Sequence, residues 1–213
     1  MPLLPTAGPI FGDRGFEVSA RTDAASVRHI DDAAIAAVTN LYREIFRAGG
    51  AILDLMSGWV SHLPPEISYA RVVGVGLSVC ELAENPFLDE WRVQDLNRDP
   101  QLHFAAGEFD GAAICASIQH LTRPGELIRE VGRVLKPGAP LVVAFSRRCL
   151  PAPAIGCWCL LDDTGHLCLV AQYFAQAGNW ADIRCLDRTP PGEGDPVYAV
   201  VGRSLGAAPA GHD

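Results

Sequence analysis

Residues 122–146 read TRPGELIREVGRVLKPGAPLVVAFS and combine a helix, a turn and a buried strand. Apolar residues recur at helical spacing in the first half, at Leu127, Val131, Val134 and Leu135. Thr122 is the predicted cap of this helix, with Pro124 in its first turn. Lys-Pro-Gly at 136–138 ends the helix. The apolar run 141–146 that follows is typical of a strand covered on both faces.

Similar elements lie on either side of this stretch. Further strands are predicted at 51–55, 72–76, 92–95, 111–117, 183–186 and 197–201. Two more helices are predicted, one over 32–47 capped by Asp31 or Asp32, and one over 166–177. Alternating strands and helices with short connections are typical of a doubly wound α/β domain. The predicted fold is therefore Rossmann-like, a mostly parallel sheet of about seven strands with helices on both faces.

Composition limits the classes of function. The chain has 213 residues, 49% of them apolar, which suits one packed domain. Its net charge of −8 repels phosphate backbones, so we expect no nucleic-acid partner. No apolar run approaches the roughly 18 residues that cross a bilayer, and we expect no membrane attachment. The start of the chain lacks a basic secretion signal, and the seven cysteines are an odd number, which favours free thiols in the cytoplasm.

The expected organisation is a single domain over 29–203. Residues 1–28 are predicted to be a loose lead-in or lid, and 204–213 a flexible tail. We expect a monomer or a homodimer. The one C-x-C pair, at 157–159, lacks the second pair that a structural zinc site needs, so no metal is expected.

The order of several motifs resembles the class I S-adenosylmethionine-dependent methyltransferases. These motifs lie at 52–58, 73–78, 94–97, 109–121 and 130–138, and the last is the most recognisable. The resemblance covers about residues 30–203. More narrowly, the chain is similar to the type 11 methyltransferase-like group, a largely uncharacterised branch of this class.

The resemblance implies S-adenosylmethionine as the cofactor. The implied cofactor-binding residues are Asp54, Ser57, Gly58, Gly76, Leu77, Asp95, Leu96 and Ser117. The methionine part of the cofactor would be flanked by Asp54, Ser57, Gly58 and Ser117. Gly76 and Leu77 would lie beside the ribose and adenine, Asp95 would accept from the adenine amino group, and Leu96 would lie against the ring. Turn capping is the alternative role for Asp54 and Asp95.

The sequence departs from this class at two places. Three glycines are usual in the first motif, but only Gly58 is present, and the other positions hold Met56 and Val60. The second strand usually ends in an acidic residue that binds the ribose hydroxyls, and here that residue is Gly76. Ser78 or Glu81 is a candidate replacement because both are close in sequence.

Methyl transfer depends mainly on alignment of the acceptor, and a base is needed only when the acceptor holds its proton tightly. His62, on a helix expected after the first strand, and His120 are the candidate bases; helix capping or a polar rim is the alternative. Arg147 and Arg148 are candidates for binding an acidic or phosphorylated acceptor, or else form a solvated pair. Trp59 would stack on a planar substrate or belong to the core.

The predicted function is S-adenosylmethionine-dependent methyl transfer to a small-molecule nucleophile. The alternative is a non-catalytic or non-methylating S-adenosylmethionine-binding module on the same fold, which the two departures suggest. A hydrolase is not expected, because no G-x-S-x-G motif follows any predicted strand.

Overall fold

The computed structural model describes residues 30–146, 155–156, 158–192 and 194–207. Its strands are β1 (Ala51–Leu55), β2 (Arg71–Gly76), β3 (Glu90–Val93), β4 (Gly111–Cys115), β5 (Pro140–Phe145), β6 (Trp180–Asp187) and β7 (Tyr198–Ser204). Its α-helices are α1 (Asp32–Ile45), α2 (Val79–Glu84), α3 (Pro124–Val134) and α4 (Asp163–Ala177). Short 3-10 turns cover Ile118–His120 and Trp158–Leu160.

These strands form one sheet in the order β3-β2-β1-β4-β5-β7-β6. β1 lies parallel between β2 and β4, with Leu55 opposite both Val75 and Ile114. β7 alone runs in the direction opposite to the other strands of this described sheet, and it lies between β5 and β6. The predicted Rossmann-like, mostly parallel sheet is therefore confirmed. The order reverses between β1 and β4, and ligands of such sheets bind beyond the strand ends at that point.

Helices cover both faces of the sheet. On one face, α3 and α4 place Val131 and Phe174 in the same buried cluster as Val143 of β5. On the other face, α1 buries Val38 and Tyr42 against the opposite side of the same strands. Continuous burial of β1, β2, β4 and β5 follows from this cover, and it explains their uninterrupted apolar sequences.

Asp31 caps α1, as predicted, because its carboxylate accepts from the Ala34 N–H at 2.8 Å. A reciprocal pair of bonds joins the same residue to the chain that enters β7. The Asp31 N–H donates to Asp195 Oδ2 at 2.8 Å, and the Asp195 N–H donates to Asp31 Oδ2 at 2.7 Å. The start of α1 is thus fixed against the last strand.

The cap predicted for α3 was wrong. The residue before the helix is Arg123, and its side chain does not cap it. Thr122 instead donates from its hydroxyl to Asn97 Oδ1 at 3.1 Å, and its N–H donates to the same oxygen at 2.8 Å. The threonine therefore joins two loops and leaves the helix start to Pro124, which needs no N–H partner.

No helix follows β1 in the fully described connection 56–70, so the helix expected to carry His62 was a wrong prediction. Pro64 and Pro65 explain the result. Each lacks an N–H group, and each disfavours helical geometry at the residue before it. The short helix α2, in contrast, was not predicted; Ser78 caps it by accepting from the Glu81 N–H at 3.3 Å.

Among the described helices, none has both the length and the apolar character needed to span a membrane. The five cysteines described in the structure are free thiols.

Candidate functional site

Four neighbouring strand ends, those of β2, β1, β4 and β5, meet at the carboxyl edge of the sheet. The loop after β1 is joined to β2, because the Ser57 N–H donates to the Val75 carbonyl at 2.9 Å. The loop after β4 is joined to β5 in the same way, from the Ala116 N–H to the Ala144 carbonyl at 2.9 Å. The structure therefore brings the candidate residues of these loops to one edge, where a doubly wound sheet binds its ligand.

Asp54, at the end of β1, organises the loop that follows it. Its Oδ2 atom accepts from the Ser57 hydroxyl at 2.6 Å and from the Ser61 hydroxyl at 2.7 Å. The side chain is buried, with 5% exposure. Burial raises the pKa of Asp54 to about 6, although the two serine bonds oppose that rise. In this structure Asp54 and Ser57 shape the loop from beneath; their predicted contact with the methionine part stays a prediction.

Asn85 is a site residue that the sequence analysis missed. It follows α2, is buried, and its amide Nδ2 donates to the Gly58 carbonyl at 2.9 Å and to the Ser61 hydroxyl at 3.0 Å. Its Oδ1 atom accepts from the Phe87 N–H at 3.1 Å. The Asn85-Pro86 dipeptide signals a turn, but nothing in the sequence indicates that its side chain reaches the loop after β1.

Gly58 lies close to α2, and Gly76 lies close to the loop after β1. A Cβ atom on Gly58 would lie 3.1 Å from Glu81 Oε2, and one on Gly76 would lie 2.3 Å from the Ser57 carbonyl oxygen. Beyond Gly76 the Leu77 side chain is exposed, at 61%. This edge therefore presents backbone, one carboxylate and an apolar side chain to a ligand, with no carboxylate at position 76.

The loop after β3 is built around Asp95 and Asn97. Asp95 Oδ1 accepts from the Asn97 N–H at 3.0 Å, and Arg98 pairs with Oδ2 at 3.4 Å. The Asn97 amide donates to the His120 carbonyl at 3.0 Å, so this loop is tied to the one after β4. Asp95 thus has the turn-capping role that was the alternative reading, and Leu96 beside it is buried. Contact of either residue with adenine stays a prediction.

The loop after β4 carries Ser117 and His120. The Ser117 hydroxyl donates to the Cys115 carbonyl at 2.8 Å, and His120 ends the 3-10 turn that follows. His120 is half-buried at this edge. Both residues lie where the sequence predicted them, and their roles toward cofactor and acceptor stay predictions.

The remaining candidates are scattered or undescribed. His62 and Trp59 lie in the irregular loop after β1, both half-buried, and the His62 carbonyl accepts from the Thr39 hydroxyl of α1 at 3.0 Å. Arg147 and Arg148 lie outside the described residues.

Left-handed backbone conformations occur at both strand ends beside the crevice. Met56 follows β1 with φ of 55°, and Ala116 follows β4 with φ of 51°. Residues other than glycine adopt this conformation at a cost of roughly 1–2 kcal/mol. Met56 holds one of the positions at which the class usually has glycine. Such strain is concentrated at binding and catalytic sites, which supports this edge as the functional one.

Replacing Ala116 with glycine should stabilise the protein by about 0.5–1 kcal/mol, because glycine adopts positive φ without steric cost. Urea unfolding would measure the change. The matched control is Ala113→Gly in the same β4, where the extended strand gains nothing from glycine and we expect a loss of about 1 kcal/mol. Equal destabilisation by both substitutions would show that Ala116 is not strained.

A small apolar crevice, too tight to admit a water molecule, lies between α1 and the ends of β4 and β5. It is lined by Ile30, Val38, Cys115, Ala116, Phe145, Ser146 and Val197. Burial raises the pKa of Cys115 to about 12, and the neighbouring Asp54 carboxylate adds to the rise. The Cys115 thiol therefore stays protonated at neutral pH and is not itself a nucleophile.

These residues fit the adenosine half of S-adenosylmethionine better than its methionine half. Glu81, the open backbone of Gly58 and the exposed Leu77 suit a nucleoside. An anionic group at the end of β1 would meet only loop groups, because no helix begins in the described connection 56–70. In a doubly wound sheet, this edge is where proteins of Rossmann-like fold bind nucleotide-type ligands.

Residues 57–143 match the family model described as a methyltransferase domain. This match, over less than half of the chain, and this fold support the resemblance to the class I S-adenosylmethionine-dependent methyltransferases that the sequence shows. They likewise support an enzyme with S-adenosylmethionine as its cofactor, as predicted.

Solved structures of similar fold include the three that follow. An S-adenosylmethionine-dependent methyltransferase from Mesorhizobium loti is 18% identical, with 79% of this chain and 98% of that one covered and a TM-score of 0.56. A Haemonchus contortus phosphoethanolamine N-methyltransferase 2, in complex with phosphomonomethylethanolamine and S-adenosylhomocysteine, is 15% identical, with 79% and 52% covered and a TM-score of 0.57. The (4+2)-cyclase SpnF is 16% identical, with 80% and 81% covered and a TM-score of 0.58. At such low sequence identities, these similarities show a shared fold and nothing about function.

No curated protein sequence matches the chain significantly.

Proposed function

We propose that this chain transfers the methyl group of S-adenosylmethionine to a small-molecule nucleophile. The observation that carries the proposal is the built carboxyl edge, where Asp54 and Asn85 hold the Gly58 loop beside Glu81. The edge lies at the reversal of strand order in a methyltransferase-type sheet.

The bound cofactor supplies an activated methyl group on a sulfonium, so the protein has mainly to align the acceptor. His120 and His62 are the proposed bases for an acceptor that must lose a proton. The ends of β4 and β5, beside Cys115 and Ser146, are the proposed acceptor side of the site, and the high pKa of Cys115 keeps its thiol from competing as a nucleophile. Arg147 and Arg148 follow β5, and we propose that they bind an acidic acceptor.

A small acceptor is supported by a solved structure of similar fold. The Haemonchus contortus structure contains a small phosphorylated amine beside S-adenosylhomocysteine, and this supports the same kind of acceptor here. The acidic net charge supports the absence of a nucleic-acid partner. We further propose a monomer or a homodimer. We also propose a cytoplasmic location, which the free thiols of the five cysteines in the described residues favour.

A non-methylating enzyme or binding module is the second candidate function. The missing carboxylate at Gly76 and the non-glycine residue at Met56 favour it, because both alter the usual cofactor contacts. The fold likeness to the cyclase SpnF fits the same possibility.

Calorimetric titration with S-adenosylmethionine and S-adenosylhomocysteine tests the proposal. We expect micromolar binding, weakened at least tenfold in Asp54→Ala, because the loop that carries Gly58 loses its anchor. The control is Glu84→Ala, an exposed carboxylate of α2 that should leave affinity unchanged. Incubation with methyl-labelled cofactor and a metabolite extract then separates the two functions. A labelled small product supports methyl transfer, whereas tight binding without any labelled product supports the second candidate. Failure to bind either ligand overturns both.

A further inference from the structure

The end of β2 has no space for a carboxylate. A Cβ atom on Gly76 would lie 2.3 Å from the Ser57 carbonyl oxygen and 3.2 Å from Leu82 Cδ2. The first contact is with backbone that Asn85 and Asp54 hold in place, so it cannot be relieved by a side-chain rotation. Any carboxylate at this edge must therefore come from another position.

Glu81 brings a carboxylate to this place from the first turn of α2. The Ser78 hydroxyl accepts from the Glu81 N–H at 3.3 Å and fixes the start of the helix. From there the Glu81 side chain runs back to the loop after β1, with Oε2 3.1 Å from the Cβ position of Gly58. Gly58 is the residue after Ser57, whose carbonyl oxygen occupies the space that a side chain at position 76 would need. The Glu81 carboxylate therefore lies one residue further along the same loop.

Within the described part of the chain, no cation or hydrogen-bond donor contacts the Glu81 carboxylate. The side chain is half-buried, and burial raises the pKa of Glu81 without an opposing interaction. The neighbouring Leu77 and Val79 side chains are exposed and apolar. A partly desolvated carboxylate without a partner is best satisfied by a ligand that donates hydrogen bonds.

We propose that Glu81 accepts hydrogen bonds from the ribose hydroxyls of S-adenosylmethionine. A vicinal diol offers two O–H donors to the two oxygens of one carboxylate, and acidic residues bind ribose hydroxyls in doubly wound folds. Leu77 supplies apolar surface beside the ribose. Ser78, the other candidate from the sequence, uses its hydroxyl oxygen as the helix cap. The inference deepens the proposed function and rests on it.

The test is calorimetric titration of the full chain with S-adenosylhomocysteine and with its 2′-deoxy analogue. We expect Glu81→Gln to bind S-adenosylhomocysteine about 10- to 100-fold more weakly, the usual effect of losing hydrogen bonds to a charged group. The wild type should prefer S-adenosylhomocysteine over the deoxy analogue, and Glu81→Gln should lose most of that preference. Glu84→Gln, on the exposed side of the same helix, is the matched control and should keep both affinities.

Two results would overturn the inference. One is unchanged affinity in Glu81→Gln while the wild type binds. The other is a Glu81→Gln variant that binds both ligands more weakly but still prefers S-adenosylhomocysteine over its 2′-deoxy analogue. That result would mean that the carboxylate binds the ammonium group of the methionine part instead of the ribose. Glu81→Asp, which keeps the charge but withdraws it by one methylene, should give an intermediate affinity. Absence of binding by the wild type would instead overturn the proposed function, so the two failures are distinguishable.

Discussion

Replacing Gly76 with aspartate should destabilise the protein by about 3 kcal/mol and should abolish binding of S-adenosylhomocysteine. The substitution restores the acidic residue that the class usually has at this position, so a comparison of sequences alone predicts tighter binding. The structure predicts the opposite, because the new Cβ atom would lie 2.3 Å from the Ser57 carbonyl and would displace the loop that carries Gly58. Overpacking of this kind costs roughly 1–3 kcal/mol, and the forced charge adds to it.

Urea unfolding and calorimetric titration would measure both effects. Gly156→Asp is the matched control, because a Cβ atom there meets nothing within 4 Å and the residue is exposed. We expect the control to keep the wild-type stability. A Gly76→Asp protein that is as stable as the wild type and binds more tightly would refute the closed geometry at the end of β2.

Acidification should stabilise the wild-type protein relative to Asp54→Asn by about 2 kcal/mol between about pH 8 and about pH 4. Burial raises the pKa of Asp54 from 3.8 to about 6 in the folded protein. Above the folded pKa the carboxylate is charged in both states, and the folded state bears the full cost of burying it. As the pH falls toward the pKa of Asp54 in the unfolded state, the folded state takes up a proton first. The free-energy cost of burying the charge then disappears.

The comparison with Asp54→Asn isolates this one group. The asparagine still offers an oxygen to Ser57 and Ser61 but never carries a charge. Arg71 and Lys136 lower the pKa values of Glu108 and Asp110 despite partial burial. These two carboxylates therefore contribute less to the free energy of unfolding as the pH falls. Their loss is the same in both proteins and cancels in the comparison. Urea unfolding across the pH range gives the difference. A difference that does not change with pH would mean that Asp54 is not protonated near pH 6 in the folded state.

The sequence predicted the buried strands well and the edge strand less well. β1 occupies the predicted residues 51–55, because its apolar run is bounded on both sides. The third strand was placed at 92–95 but spans Glu90–Val93, because every residue of this edge strand is exposed and the sequence carries no burial signal. The helix after β1 was predicted from the class pattern, and Pro64 and Pro65 overrule that pattern locally.

The candidate site was predictable only where it depends on strand ends. Parallel strands bring Ser57, Gly76 and Ser117 to one edge, and the alternation of strands and helices was enough to predict this. The contacts of Asn85 and Glu81 depend on how α2 packs against the loop after β1. Such contacts join residues more than twenty positions apart, and no periodic pattern encodes them.

The Asn85 bridge has a consequence for the entropy of ligand binding. Its amide holds the Gly58 carbonyl and the Ser61 hydroxyl from the end of the helix that carries Glu81. Loop and helix are therefore already assembled as one unit before any ligand arrives. A ligand that binds between them spends little of its binding free energy on ordering the backbone. Selectivity at this edge then depends on how well the ligand matches a fixed shape, and only weakly on the capacity of the loop to adapt.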